Sequence, residues 1–590
     1  MSLVRSVIEL PRRVRIADIV VIVVLAGFAY WMAAIAKEWR SPMHDQVIIH
    51  TDFRYLPLYT LFSLARGIFA YVISLLFTLI IGYSMAHSER VEKIGLPMLD
   101  IMQSIPVLSF IPGLSMAFLA IFPVSNIGLE LVAIVAIFTG QVWNMTYAFY
   151  AALKGIPGDM RDATTSFFLS RREKLTKLEL PASAIPLIWN SMMSMAGGWF
   201  FLTVCEAFTI GDKNYKLPGI GSYMRVAIEE GKMPAIIGAI VAMGMMIILL
   251  DRLLWRPLVI WSTKFRMEEI SDDLNGVPER SIVLDIVSRS KLVQWLSAKL
   301  SVKEDNKRKA QSGESTVPIE DIKSRTVQKL ASFVLHPHYI RKGIGWLAVI
   351  GFATGISYAI FRSYELLSLH LGSDDWGHIG IGTLATLART FCAVFLAALW
   401  TVPLGAMIGM NARLSRKLQP AIQFMASFPA PMIFPLVLLL LAKIHLSIEY
   451  GAVILMLLGT QWYMLFNVIA GASALPADLV ELGRSFSLPR IQRWRKIILP
   501  SLFPSIVTGL LTAAGGAWNT SIIAENYDVP GKTRQVATGV GALISFASDH
   551  DNIPLLVAST LSLCIVVVTI NRLVWRKMLN AAQNKYSLNK

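Results

Sequence analysis

Residues 162–181 read DATTSFFLSRREKLTKLELP, and residues 481–500 read ELGRSFSLPRIQRWRKIILP. Each segment begins with an acidic residue and ends with Leu-Pro, and in both the proline follows the acid by 19 positions. The two segments lie 319 positions apart, and each separates two long apolar stretches. Two polar segments of equal length in matching surroundings indicate that the chain contains one structural unit twice.

The duplication extends on both sides of these segments. Matched residues are spaced by 323 positions before the segments, by 319 around them and by 320 towards the end of the chain. The matched pairs include Arg66 with Arg389, Pro106 with Pro429, Gly140 with Gly459, Trp143 with Trp462, Glu206 with Glu525, Gly219 with Gly539, and Arg256 with Arg576. Spacings this constant across infrequent residue types are not chance, so the chain carries a first copy and a second copy of one unit.

The composition is that of a membrane protein. Of the 590 residues, 55% are hydrophobic and 16% are charged, whereas soluble proteins average about 25% charged residues. A transmembrane helix needs about 20 mostly apolar residues. Runs of that kind occupy 17–36, 61–86, 97–122, 127–152, 185–208 and 234–257 in the first copy, and 344–362, 383–408, 420–442, 446–471, 504–525 and 554–575 in the second.

The sequence therefore predicts an all-α integral membrane protein with 12 transmembrane helices. Both copies run in the same order and have the same number of spans. They are expected to form two parallel six-helix repeats, related by a pseudo-twofold axis along the membrane normal. A pathway along that axis would follow naturally.

The formal net charge of +16 is explained by its location. Arg12 and Arg13 precede the first apolar run, and Arg572 and Arg576 stand at the end of the last one. Because basic residues concentrate in cytoplasmic loops, we expect a bacterial cytoplasmic (inner) membrane protein with both termini in the cytoplasm. Membrane lipid is then a partner, and no basic soluble domain remains to bind nucleic acid.

We expect three regions: a first six-helix domain over 1–257, a linker over 258–340 and a second six-helix domain over 341–590. The first apolar run exceeds the ~7–15 residues of a signal-peptide core, so we interpret it as a retained span. In the linker, 281–300 has the pattern of an amphipathic helix, and 303–317 has a disordered composition. A flexible tether is preferred to a regulatory domain because the ordered part is too small for its own core.

No catalytic or metal site is predicted. The three cysteines, Cys205, Cys392 and Cys564, lie in apolar runs without metal-ligand spacing, so we interpret them as packing residues. The tripeptide Gly-Lys-Thr at 531–533 resembles the end of a P-loop, but Asn526 stands where the first glycine would be. The chain is thus expected not to be an enzyme and to hold no cofactor, with ATP bound by a partner subunit.

The two polar segments resemble the EAA loop of type I ABC importer permeases, whose pattern is E-A-A-x3-G-x9-I-x-L-P. The positions that fall on this pattern are Asp162, Ala163, Phe168, Leu180 and Pro181 in the first copy, and Glu481, Leu482, Gly483, Ser487, Leu499 and Pro500 in the second. Phe168 and Ser487 replace the glycine of the family. The resemblance implies the type I ABC importer permease fold and loops that dock two copies of a cytoplasmic ABC ATPase subunit. It also implies a periplasmic or lipid-anchored solute-binding protein.

Further stretches resemble one group of these permeases, those for nitrate, sulfonate, taurine and bicarbonate. Ile105-Pro106 with Pro112, and Pro429 with Pro435, resemble its I-P-x5-P run. The closing Asp251-Arg-Leu-Leu is also similar. The resemblance favours a small anion such as nitrate, a sulfonate or bicarbonate as the solute, and it covers nearly everything except the linker.

Paired polar residues within the spans are candidates for the translocation path. Glu206 and Glu525 stand near the outer end of the fifth span of each copy. A carboxylate at membrane depth usually faces a cavity or a partner. Each acid either lines the pathway or lies at the interface or against a nearby base, and the sequence leaves both interpretations open. Arg66 and Arg389 are interpreted as snorkelling anchors, although they could attract an anion.

The fourth spans carry a second set of candidates. These are Gln141, Trp143 and Asn144 in the first copy, and Gln461 and Trp462 in the second. Their amides could contact a translocating solute or form hydrogen bonds between helices. The second interpretation is the more ordinary one.

The prediction is a permease that is driven by separate ATPase subunits. The alternative is a secondary transporter, since two parallel six-helix halves also describe that class. Such a carrier would lack the matched Leu-Pro segments and would carry charges in the middle of its spans for ion coupling.

Overall fold

The computed structural model describes residues 47–210, 213–265, 281–290, 364–475, 485–529 and 532–585, with single positions among 22–39 and 354–362 and at 479. The chain divides into two compact units. One comprises Met32–Glu279 and Ser373–Lys590 and contains both polar segments. The other comprises Met1–Trp31 and Arg280–Gly372.

The first copy is a set of long helices with a short β-hairpin at one end. Apolar chain becomes helical in a membrane because only a helix or a closed barrel satisfies the backbone there. Its helices are α1 (Leu56–Phe77), α2 (Tyr83–His87), α3 (Glu89–Ser104), α4 (Ile111–Ile121), α5 (Ile127–Lys154), α6 (Gly158–Ser166), α7 (Arg171–Lys174), α8 (Leu180–Cys205), α9 (Ile220–Glu229), α10 (Met233–Leu250) and α11 (Arg256–Ser262). The antiparallel hairpin is β1 (Ala207–Ile210) with β2 (Lys213–Lys216).

The second copy repeats this order. A helix of the other compact unit, α12 (Ile282–Arg289), precedes it in the chain. Its helices are α13 (Ser373–Gly409), α14 (Ala412–Ser427), α15 (Phe434–Lys443), α16 (Ile448–Ser473), α17 (Arg490–Arg493), α18 (Leu499–Ala524), α19 (Val540–Asp549), α20 (Ile553–Ile570) and α21 (Arg576–Lys585). The hairpin β3 (Asn526–Val529) with β4 (Lys532–Gln535) is also antiparallel. We call the end of the long helices that carries the hairpins the hairpin end, and the opposite end the loop end.

Several long helices contain one wider, π-type turn. These turns are Thr78–Gly82, Leu175–Glu179, Asp251–Trp255, Trp494–Ile498 and Asn571–Trp575. The turns before α8 and α18 occupy equivalent positions and precede Pro181 and Pro500, which cannot donate a backbone hydrogen bond. Short 3-10 turns cover Phe53–Tyr55, Val107–Phe110, Thr263–Phe265 and Ala430–Met432.

Among the described residues, seven helices are long and apolar enough to cross a membrane, or eight if one bent pair counts as a span. They are Phe53–His87, Ile127–Lys154, Met233–Phe265, Ser373–Gly409, Ile448–Ser473, Arg490–Ala524 and Ile553–Ala582. Helix α8 has 26 residues, so it is about 39 Å long, but it is less apolar. The multi-pass all-α fold is as predicted, whereas the number of twelve stays a prediction because the runs 17–36 and 344–362 lie mostly outside the described residues.

The third predicted span is a bent pair of helices and not one continuous helix. The chain breaks between α3 and α4, and the two parts meet at 85°. Pro106 takes an extended conformation, with φ −65° and ψ 114°. Proline also disfavours a helical conformation in the residue before it, here Ile105, which is extended as well. In the second copy the predicted span 420–442 breaks in the same way, after α14 and before α15.

The two copies interlock through these broken helices. Helix α3 packs against α20 of the second copy, and α14 packs against α8 and α10 of the first. Asn571 Nδ2 donates a hydrogen bond to the Asp100 carbonyl at 3.5 Å, and Gln423 Nε2 donates to Asp251 Oδ1 at 3.3 Å. These two contacts are equivalent under the repeat. The copies therefore form one body and not two bundles joined by a tether.

Only part of the predicted linker lies among the described residues. Helix α12 lies inside the predicted amphipathic helix 281–300, whose remainder from residue 291 is outside the described residues. The predicted disordered stretch 303–317 is also outside them.

Candidate functional site

A cavity of about 360 Å³ lies between the two copies. Its walls come from α3, α5 and α8 of the first copy and from α16, α18, α20 and α21 of the second. Two pairs of equivalent glycines line it, Gly140 with Gly459 and Gly197 with Gly516. At Gly140 and Gly459 the missing side chain lets the fifth span of the same copy pack closely, since a Cβ atom would lie 2.2 Å from Phe201 and 2.5 Å from Thr520.

The part of the cavity formed by α5 and α18 is lined by neutral polar groups. Gln103 Nε2 donates a hydrogen bond to Asn144 Oδ1 at 2.7 Å. Asn519 accepts a hydrogen bond from the Val107 amide at 2.8 Å through its Oδ1. This contact joins the two copies. The remaining amide hydrogens of such side chains are suited to bind oxygen atoms of a solute.

Polarity in this cavity does not follow the twofold repeat. Asn144 of the first copy is equivalent to Tyr463 of the second, and Asn519 of the second is equivalent to Phe200 of the first. All four residues line the cavity. A solute between the copies would therefore meet a different chemical surface on each side.

Charged lining side chains occur at the loop end of the cavity. Among the described lining residues they are Asp100, Arg572 and Arg576. Arg576 lies 3.6 Å from Asp100, and both side chains are about half exposed. With one acid and two bases, this end of the cavity carries a formal excess of positive charge.

Only some of the candidate path residues face this cavity. Trp143 and Asn144 line it, and the buried indole N–H of Trp143 has no hydrogen-bond partner among the described residues. Gln141 is instead buried between helices, where it accepts a 3.4 Å hydrogen bond from Ser74 and contacts Met195. For Gln141, the interpretation as a contact between helices is the one that the structure supports.

The equivalent residues of the second copy are not among the lining residues. Trp462 packs edge-on against Trp400, with 6.2 Å between ring centres. Gln461 is buried in α16. The fourth span of the second copy thus presents Tyr463 to the cavity in place of its Trp-Gln pair.

Glu206 and Glu525 are not among the cavity-lining residues either; each lies in a buried ion cluster at the hairpin end. In the first copy Arg66 donates two hydrogen bonds to Glu130, at 2.6 and 2.7 Å, and a third to Glu206 at 2.7 Å. Arg66 and Glu206 are 0% exposed. The snorkelling interpretation of Arg66 was therefore wrong, and the interpretation of Glu206 as paired with a base is the one that the structure supports.

Backbone N–H groups stabilise the negative charge of Glu206, the second acid that pairs with Arg66. Glu206 Oε2 accepts a hydrogen bond from the Gly221 amide at 2.7 Å, and Ser63 Oγ donates to Glu206 Oε1 at 2.6 Å. Ser63 Oγ in turn accepts a hydrogen bond from the Ile220 amide at 2.9 Å. Both amides belong to the first turn of α9, where unpaired N–H groups and the helix dipole favour an anion.

The second copy repeats the arrangement with more solvent access. Arg389 pairs with Glu449 and donates to Glu525 at 2.9 Å. Thr386 takes the place of Ser63, donating to Glu525 at 2.8 Å. The side chain of Arg389 is 12% exposed and that of Glu449 is 36% exposed, whereas Glu525 is fully buried.

The repeated glycines after the hairpins are explained by these clusters. A Cβ atom at Gly219 would lie 2.3 Å from the Glu206 carboxylate, and one at Gly539 would lie 2.3 Å from that of Glu525. Any other residue would displace the acid from its partners. The glycines therefore permit the close approach of backbone and carboxylate.

Sequence reasoning missed Glu130 and Glu449, the second acid of each cluster. Each of these two acids lies at the start of a fourth span. They are 319 positions apart, which is also the spacing between Glu206 and Glu525. A search for every charged pair at that spacing would have found them.

The first polar segment and the described part of the second, residues 485–500, lie at the loop end. We call residues 158–181 the first coupling segment and residues 477–500 the second. Helix α6 ends at Ser166 with Phe167 as its C-cap residue, and the next residue, Phe168, has a φ of 52°. The amides of Phe168 and Leu169 donate to the carbonyls of Thr165 and Thr164, both at 3.0 Å. This is the Schellman arrangement, which normally places glycine at the position of Phe168.

The left-handed position explains the family glycine and shows where this chain departs from it. Ser487 occupies the equivalent place with φ 49°. A residue with a Cβ atom costs about 1 kcal/mol more than glycine in this conformation. Phe168 is 93% exposed and Phe167 is 76% exposed, and Phe486 of the second segment is 72% exposed.

The end of the first coupling segment is anchored to the helix bundle. Leu178 and Leu180 pack against a cluster formed by Phe149, Leu153 and Ile156 at the end of α5. Arg161 donates hydrogen bonds to the last carbonyls of α5, Leu153 at 2.8 Å and Lys154 at 3.0 Å. The segment is thus held to the fourth span and continues directly into the fifth.

The second helix of this segment begins with a capping box. Ser170 and Glu173 exchange hydrogen bonds between side chain and backbone. Hydrogen bonds from Lys177 and Ser170 lower the pKa of Glu173 to about 2, so the cap stays ionised throughout the physiological range. Asp162 and Ala163 are exposed on α6, whereas Glu481, Leu482 and Gly483 of the second segment lie outside the described residues.

We expect the two ion clusters to contribute unequally to stability. Arg66→Ala leaves two carboxylates buried without a cation, which costs about 3–5 kcal/mol. Arg389→Ala costs less because water reaches Arg389 and Glu449. Thermal unfolding of the purified chain in detergent measures the difference, and Arg576→Ala, at a half-exposed pair worth about 0–1 kcal/mol, is the matched control. Equal losses for Arg66→Ala and Arg389→Ala would contradict the expectation.

Comparison with known proteins agrees with this architecture. The model of the family described as "binding-protein-dependent transport system inner membrane component" matches residues 74–254 and again residues 401–580. The bicarbonate transport system permease protein CmpB of Synechococcus elongatus is 30% identical over 144 residues, which are 24% of this chain and 50% of CmpB. The nitrate import permease protein NrtB of the same organism is 27% identical over 153 residues, which are 26% of this chain and 53% of NrtB.

A third relative is the taurine transport system permease protein TauC of Escherichia coli. It is 28% identical over 151 residues, which are 25% of this chain and 52% of TauC. The chain spans about half the length of these curated relatives in each match. The family model, in contrast, covers more than half of the chain, once in each copy. The chain therefore belongs to the binding-protein-dependent ABC importer permeases, as a multi-pass membrane protein in which two permease units are fused in tandem.

Proposed function

We propose that this chain forms the transmembrane pathway by which an ABC importer moves a small anion, such as nitrate, a sulfonate or bicarbonate. The observation that carries the proposal is the cavity of about 360 Å³ whose walls are supplied by equivalent helices of both copies. Its volume suits a small solute. The coupling segments emerge at the end of the helices where the charged lining residues stand.

The chemistry of the lining supports an anion. Asn144, Asn519 and Gln103 can offer amide hydrogens to oxygen atoms, and Arg572 and Arg576 outnumber Asp100 at the loop end. An acid buried at the cavity would repel an anion, but Glu206 and Glu525 are withdrawn into the ion clusters. Two of the relatives are named for the transport of anions, bicarbonate and nitrate. The third is named for taurine, a zwitterion that carries a sulfonate group.

The energy source in this proposal is a pair of separate cytoplasmic ABC ATPase subunits. Exposed phenylalanines at equivalent places, Phe167 and Phe486, would enter apolar pockets on the two subunits. The basic residues around them, such as Arg171 and Arg490, would face acidic groups on the partner. The chain itself would hold no cofactor, ATP being bound and hydrolysed by the partner.

The proposal also sets the orientation. The coupling segments and both termini would lie in the cytoplasm and the hairpin end would face outwards in the bacterial inner membrane, in keeping with the positions of the arginines. A periplasmic or lipid-anchored solute-binding protein would then deliver the solute to the hairpin end.

The test of this function is reconstitution with a cognate ATPase in proteoliposomes. We expect uptake of labelled nitrate, bicarbonate or a sulfonate that depends on ATP and on the binding protein. Uptake on a cation gradient without ATP would instead identify a secondary transporter and contradict the proposal.

Asn144→Leu is expected to weaken the interaction with the solute. Loss of a hydrogen bond to a charged group changes an affinity by about tenfold or more, so the KM for uptake should rise by about that factor. Asn467→Leu is the matched control because Asn467 is an asparagine of the other copy's fourth span and is not among the cavity-lining residues. A KM that Asn144→Leu leaves unchanged would remove Asn144 from the path.

Phe167→Ala combined with Phe486→Ala is expected to weaken ATPase binding. An aromatic anchor at an interface contributes about 2 kcal/mol or more, so each substitution should lower the affinity about thirtyfold. Titration of the detergent-solubilised chain with the ATPase measures this. Phe546→Ala, on α19 near the hairpin end, is the control, and an equal loss for that variant would argue against docking at the coupling segments.

A further inference from the structure

The two coupling segments are tied to the second span of their copies by different chemistry. In the first copy, His87 at the end of α2 contacts Glu179, the residue directly before Leu180-Pro181, with 2.9 Å between Nε2 and Oε1. The equivalent residues of the second copy are Met410 and Ile498. These two belong to one apolar cluster, in which Ile498 is 4% exposed.

Both ring nitrogens of His87 lie within hydrogen-bond distance of an oxygen atom. Nδ1 lies 2.9 Å from the carbonyl oxygen of Tyr83, which can only accept. Nε2 faces a carboxylate, which accepts when ionised. A histidine has two N–H donors only when it is protonated. The geometry therefore matches an imidazolium paired with a carboxylate.

Glu179 depends on this cation. Its side chain is 4% exposed, and its Oε2 has no hydrogen-bond partner in the described part of the chain. A buried carboxylate without a cation is costly. The Tyr83 ring stacks on the His87 ring, with 4.1 Å between the ring centres. Arg171 is also nearby, since its positive charge interacts electrostatically with Tyr83. His87 is the cationic side chain that lies in direct contact with the acid.

We propose that protonated His87 and Glu179 are positioning residues that link the first coupling segment to the second span, so that coupling in this copy depends on pH. The link is an ion pair only while His87 carries its proton, and after loss of the proton at most a weaker neutral hydrogen bond can remain. Histidine is the side chain that acts as a charge switch near physiological pH. The second copy, with Met410 and Ile498, keeps its link at every pH. This inference rests on the proposed function, in which the coupling segments transmit ATPase movement.

The decisive variant replaces the first copy's pair by the second copy's pair, His87→Met together with Glu179→Ile. The chain already accommodates these two residues at the equivalent place, so folding should be retained. In proteoliposomes with ATPase and ATP on the side of the coupling segments, we raise the pH of that side from about 6 to about 8. For the unchanged chain, solute transported per ATP hydrolysed should fall by roughly tenfold, the factor carried by one charge-assisted hydrogen bond.

The double variant should transport with the same ratio at both pH values. His87→Lys, which keeps a cation over this range, should also remove the pH dependence while preserving coupling. If the unchanged chain and the double variant have the same pH profile while both transport, the inference is overturned and the proposed function stands. If no form transports with ATP at any pH, the proposed function itself fails.

A second measurement needs no ATPase. The thermal midpoint of the unchanged chain in detergent, taken relative to that of the double variant, should fall between pH 6 and pH 8, because other titrating groups are common to both proteins. His87→Met alone should be less stable than the unchanged chain at low pH, with a smaller difference at high pH. A difference that does not vary with pH would overturn the inference independently of transport.

Discussion

The buried cluster of Arg66, Glu130 and Glu206 is the constraint on which the first copy depends. It joins three long helices and the first turn of α9, and its three ionised groups can leave water only because each one is paired. Such groups lose several kcal/mol if one partner moves away. The hairpin end is therefore expected to move as a rigid body, and changes of shape are left to the loop end. There, the pairs Arg576–Asp100 and Lys154–Glu92 are partly exposed, and the helices contain wider turns.

The broken and widened helices fit this division. Pro106 interrupts the third span, and the separate piece α3 packs on the opposite copy. The wider turns before Pro181 and Pro500 stand between a coupling segment and the span that continues it. Irregular turns of this kind often occur at functional positions. A displacement at the loop end would reach the cavity through α8 and α18, which contribute to its walls.

The symmetry of the backbone does not extend to the chemistry. The first ion cluster is fully buried, whereas Arg389 and Glu449 of the second are partly exposed. Asn144 and Asn519 stand opposite residues of other types in the repeat, and His87 with Glu179 is replaced by Met410 with Ile498. Fusion into one chain allows such differences, since each copy can change without its partner. The single chain therefore resembles a heterodimer, because its two copies share one backbone arrangement but make different side-chain contacts.

The sequence by itself determined the duplication, the apolar spans, the polar segments ending in Leu-Pro and the resemblance that led to the family. These features depend on composition and on constant spacing along the chain, which can be read without coordinates. Only the tertiary structure decided that Arg66 is buried, that Glu130 belongs with Glu206 and that the third span is broken. The ion pairs join residues 64 and 140 positions apart. Whether such residues meet depends on how the helices pack and rotate against one another, and local sequence pattern does not encode that.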